Sequence, residues 1–147
     1  GPQATIFVAF ALIGLDLTLR DKIHEHNDGN HLWVTMGLLI VIGSILSYLI
    51  NSDSSRIALA SMTAFACAGV VDTVVFQLIR HKKYMFRVNG SNVPSALVDS
   101  LVFPTVAFGG FLPIIVVGQF IAKVFGGFIW SVLIVVTGRI VEKWKDS

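Results

Sequence analysis

Two carboxylates stand inside apolar runs: Asp72 in "VVDTVVF" (70–76) and Asp99 in "LVDSLVF" (97–103). Lys123 lies in a third apolar run, with Gln119 four residues earlier and so on the same face of any helix there. An ionisable side chain at mid-bilayer costs at least about 2.5–3.5 kcal/mol, so each such residue marks either a site or a partner. The chemistry this set can do is recognition of a polar solute. A carboxylate accepts hydrogen bonds from N–H groups, while an ammonium and a carboxamide donate to carbonyl oxygens. The same residues could instead only tie helices together through an Asp–Lys pair. Asp16 has a local explanation, since Arg20 follows four residues on and can snorkel back to it.

The elements that carry these residues are helices in a membrane. Of 147 residues 54% are hydrophobic and 14% charged, against roughly a quarter charged in a soluble domain. The apolar residues fall in long blocks matching a hydrocarbon layer about 30 Å thick. Backbone groups in lipid must bond internally, and the runs are too long for barrel strands. The expectation is an all-α integral membrane protein, one domain over 1–147, a polytopic bundle of five visible transmembrane helices at about 4–19, 34–50, 56–79, 94–108 and 114–138. The stretches 20–33 and 80–93 read as polar loops, and 139–147 as a charged tail. Those three segments hold nine of the eleven Lys and Arg and share one side of a five-span bundle. That asymmetry predicts a cytoplasmic face for both loops and the C-terminus, in a multi-pass inner-membrane protein. It also sets the visible N-terminus outside, as if a further helix preceded residue 1.

Helical rise then sets depths. Asp72 lies eight residues before Arg80, about 12 Å in, and Asp99 five after Pro94, about 7–8 Å in. On antiparallel neighbours the two carboxylates come to similar depth. Arg56 opens the third helix ahead of Ala58, Ala60, Ser61 and Ala64, small residues that permit close packing. It could also draw a polar or anionic solute to a cavity mouth. Asn89 and Asn92 fall in the expected basic loop and read as solvated. Pro104 should kink the fourth helix, and a broken helix beside an intramembrane carboxylate is an arrangement that transporters use.

The remaining signals are exclusions. A single cysteine, Cys67, permits no intrachain disulfide. The "HEH" at 24–26 with His31 is a polar-loop feature rather than a metal site, and no phosphate loop or zinc pattern is present. A net charge of +2 gives no footprint for nucleic acid.

Three stretches, "RIALASMTAFACAGVVDTVVFQ", "SALVDSLVFPTVAFGG" and "GQFIAK", resemble the VUT family of vitamin-uptake, or queuosine-precursor, transporters. "AFALIGLDLTLRDKIHE" is similar to the N-terminal region of its short members. The resemblance implies a six-helix fold related to the substrate-binding S components of energy-coupling-factor transporters, and uptake of 7-cyano-7-deazaguanine or related bases. This chain shows five spans, which suggests that its start lies within a longer protein. The family pattern falls on Arg56, Ser61, Asp72, Ser95, Asp99, Gln119 and Lys123 as substrate-binding residues. A deazaguanine suits them: its N1–H and exocyclic amine form a donor pair for a carboxylate, and its carbonyl takes a donor from Gln119 or Lys123. Phe65, Phe76, Phe103 or Phe108 could stack on the ring.

The function expected is therefore import of a deazapurine through a polar cavity, not an enzymatic reaction, with no cofactor and no metal. Its partners are the small molecule and the lipid bilayer, with an energising partner or a homo-oligomer left open. Two alternatives remain: an S-component-like subunit for another vitamin or nucleobase, and a structural intramembrane subunit. Two carboxylates without a nearby histidine argue against a membrane metalloenzyme.

Overall fold

A computed structural model describes residues 30–50 and 55–145, together with Asp16 and Ile23. Among them lie four α-helices and no strand: α1 (Asn30–Ile50), α2 (Ser55–Leu78), α3 (Tyr84–Phe108) and α4 (Pro113–Lys145). Each packs on the next in antiparallel succession, with the α2–α3 contact the most extensive. The first expected span (4–19), Arg20 with its pairing to Asp16, and the first two histidines of the 24–31 cluster lie outside the described residues.

Small residues make the α2 interfaces close. Ala58, Ala60, Ala64, Ala68 and Gly69 are all buried. Small side chains of this kind let helix backbones approach closely, which van der Waals packing then stabilises. On the α1 side, a Cβ at Gly43 would sit 2.5 Å from the Phe65 ring, and one at Gly69 would sit 2.8 Å from Ile40. The outward faces are apolar: Leu38, Val41, Ile42, Ile45 and Leu46 on α1 and Ile114, Val117, Ile121, Phe125 and Phe128 on α4 are exposed. Among the described residues only α2 and α4 are long and apolar enough to cross a membrane, so the expected five transmembrane helices are not supported.

Four further expectations are corrected. The basic loop 80–93 shrinks to a short turn, because α3 begins at Tyr84 and runs through Pro94. Packing explains it: Val88 and Ser91 are buried, and the Arg87 guanidinium lies 5.5 Å over the Phe76 ring of α2. Pro94 removes one backbone donor, and side chains reinforce the turn before it, with Asn89 Nδ2 donating to the Met85 carbonyl at 2.9 Å. Likewise the tail continues α4 to Lys145, and α1 starts at Asn30, within the expected loop 20–33.

The fourth correction concerns depth. Ser95 Oγ donates to the Ala68 carbonyl (3.0 Å), and Arg56 Nε to the Val106 carbonyl (3.2 Å), which with Arg87–Phe76 fixes the α2–α3 register. Asp72 lies four residues past Ala68 toward the turn, and Asp99 four past Ser95 away from it. Eight residues of rise put the two carboxylates about 12 Å apart along the bundle. The matched-depth expectation failed because it counted from Pro94 as the start of a helix that begins ten residues earlier.

Candidate functional site: a polar seam between α3 and α4

The α3 face toward α4 repeats polar side chains at helical spacing: Asn89, Asn92 and Asp99. The facing side of α4 offers Gln119, Lys123, Gly127 and Ser131. Antiparallel packing pairs them into three rungs.

At the first rung Lys123 Nζ forms an ion pair with Asp99 Oδ2 and also donates to Gln119 Oε1 at 3.4 Å. The side chains of Lys123 and Asp99 are 31% and 24% exposed, so the pair is reachable from the space beside it rather than sealed. At the second rung Asn92 lies against Gly127, where any Cβ would overlap the Asn92 amide. At the third Asn89 Nδ2 donates to Ser131 Oγ (3.1 Å), and Ser131 Oγ donates to the Phe128 carbonyl (2.8 Å). An ammonium, a carboxylate and three carboxamides thus line one seam. Together they offer both donors and acceptors to a planar heterocycle.

Of the seven residues expected to bind substrate, the structure brings together Asp99, Lys123 and Gln119. Asp72 is buried on α2, on the stripe it shares with Ser61, Phe65, Ala68 and Phe76. Ser61 stands half-buried near the far end of that stripe. Ser95 spends its hydroxyl on the Ala68 carbonyl and so locks α2 to α3. Arg56 caps the C-terminus of α3: it bonds the Val106 carbonyl, and its guanidinium packs against Gly109, which ends the helix at φ 73°. A cation there satisfies late carbonyls and the negative end of the helix dipole.

Asn89, Asn92, Gly127, Ser131 and Ser100 are the functional candidates that the sequence reading missed. The seven-residue spacing of Asn92 and Asp99 was the available signal, and it becomes visible only when the helix is carried through Pro94. Ser100 differs from the other buried hydroxyls. Ser44, Thr73, Ser91, Ser95 and Ser131 each donate to a backbone carbonyl. Ser100 is fully buried with no partner for its hydroxyl among the described residues. Its carbonyl also loses the usual helical donor, because residue 104 is proline. Ser100→Ala is expected to raise the stability of the detergent-solubilised protein by about 1 kcal/mol, since an unsatisfied buried donor is removed. A lowered melting temperature would show instead that the hydroxyl is bonded.

Comparison with known proteins bears on the class of the chain. No curated protein and no solved structure matches the chain. The family described as "putative vitamin uptake transporter" matches residues 4–137, nearly all of it, and this chain, with its apolar helices and a polar seam between α3 and α4, belongs to that transporter family.

Proposed function

We propose that this membrane protein imports a queuosine precursor, 7-cyano-7-deazaguanine or a close deazapurine, by binding the base between α3 and α4. The observation that carries the reading is the Asp99–Lys123–Gln119 cluster on facing helices of an otherwise apolar bundle. The base presents N1–H and its amine as paired donors and its carbonyl as an acceptor. Entering the seam, it exchanges the internal bonds of the cluster for its own, with Asp99 accepting the donor pair and Lys123 and Gln119 donating to the carbonyl. Asp72, on α2 and about 12 Å further along, lies outside the α3–α4 seam and lines the route together with Ser61. The turn at 79–83 and the C-terminal end of α4 lie at the same end of the bundle, and their basic residues make that end the cytoplasmic one. Energy comes from an ion gradient, a partner subunit or metabolic trapping.

The closure of Asp99 on Lys123 favours a second reading, in which the pair only holds helices together in a structural subunit or in an S-component-like subunit for another vitamin. The discriminating variant is Gln119→Leu, which keeps the ion pair. Uptake of labelled 7-cyano-7-deazaguanine by cells carrying it is expected to fall about tenfold at unchanged membrane yield, the cost of one lost hydrogen bond in a desolvated site. The purified wild type should melt higher with the base, by an increment that grows with concentration, because the ligand binds the native state alone. Absence of that shift, with uptake unaffected by Gln119→Leu, would leave the structural reading.

A further inference from the structure

Asn92 stands apart from the other seam residues. Asn89 is bonded to Met85 and Ser131, and Asp99 and Gln119 both to Lys123. Asn92 is half-buried in α3, and its carboxamide makes no hydrogen bond with the described residues. It occupies the space that a side chain at residue 127 would otherwise take. A carboxamide is not needed to pack against glycine, and it can both donate and accept hydrogen bonds.

Its position is as informative as its bonding. Asn92 and Asp99 are seven residues apart on one helical face, about 10 Å along the axis. Between them α3 carries only small side chains toward its neighbours, Ser95 and Ala96, both buried. About 10 Å between two polar heads accommodates one fused bicyclic base with a hydrogen bond of about 3 Å at each end. The two heads also differ in kind. A carboxylate offers two acceptors, whereas a carboxamide offers one donor and one acceptor in a plane.

We propose that Asn92 is a specificity-determining residue of the seam, reading the edge of the base opposite the one held by Asp99 and Lys123. This rests on the deazapurine reading above. With N1–H and the amine on Asp99, the N3 and N9–H positions of a free deazaguanine turn toward Asn92. The amide nitrogen donates to N3 and the amide oxygen accepts from N9–H. A ribose on N9 removes that proton and finds no room, because Asn92 already fills the space against Gly127. The seam therefore takes the free base and rejects its nucleoside.

The test uses the purified full chain in detergent, with affinities measured by titration of 7-cyano-7-deazaguanine and of its N9-ribosyl nucleoside. The wild type should bind the base at least about tenfold more tightly than the nucleoside, and Asn92→Leu should weaken base binding by about 10- to 100-fold. Asn92→Asp, which keeps the acceptor for N9–H but loses the donor for N3, should fall between them. Should Asn92→Leu fail to fold, the wild-type comparison and Asn92→Asp still decide. Equal wild-type affinity for base and nucleoside, or base binding unchanged in a folded Asn92 variant, overturns this inference while leaving the deazapurine reading in place. A wild type that binds neither compound overturns both.

Discussion

Asp99→Leu alone is expected to lower the unfolding free energy by about 3 kcal/mol, and Asp99→Leu with Lys123→Met to recover most of that loss. The single change leaves an ammonium without its counter-charge between two helices, and an uncompensated charge in a low-dielectric site is the costly state. The double change removes both charges and leaves apolar side chains of similar length. Unfolding of the four proteins in mixed detergent gives the coupling energy from the double-mutant cycle. If the double variant is as unstable as the two single losses added together, the ion pair seen between α3 and α4 is not energetically coupled. Uptake supplies the second readout. Under the transport reading the double variant is folded and inactive, whereas a purely structural pair predicts that uptake returns with stability.

Gly127→Leu should be the most damaging glycine substitution in α4. Any Cβ at that position meets the Asn92 amide, so a branched side chain must push α3 away or drive Asn92 out of the seam. Overpacking of this kind costs about 1–3 kcal/mol. The loss should extend one turn onward to the Asn89–Ser131 bonds, which need the same helix separation. Gly118→Leu is the control, because nothing lies within 4 Å of a Cβ there. Equal melting temperatures for the two variants would mean that α3 and α4 do not approach as closely as the structure places them.

Long apolar blocks made the helical class and three of the four described helices readable within a few residues at most boundaries. The third described helix was half-read, for a specific physical reason. "RHKKYMFRVNGSNVP" carries four Lys and Arg, which argue against an apolar span, and a glycine, two asparagines and a proline, which locally favour a loop. Burial of Val88 and Ser91 and the stacking of Arg87 on Phe76 outweigh that preference, and nothing local in the segment announces them. The same error hid half of the site. With the helix begun at Pro94, Asn92 could not share a face with Asp99, and the two carboxylates seemed to match in depth. The pairing of Asp99 with Lys123, by contrast, was legible from charge alone, since each needed a partner from another helix.

One feature of α4 bears on how the protein could be watched at work. Its 33 residues form one unbroken helix about 50 Å long, exceeding the hydrocarbon thickness by some 20 Å. Lys123 sits ten residues from Pro113 and twenty-two from Lys145, so the ion pair divides the rod unequally. A stiff rod tilting about that point is a lever with a ratio of about two. A small displacement at the Pro113 end is about doubled at the basic end, where a spin label on Lys145 would read it without touching the seam.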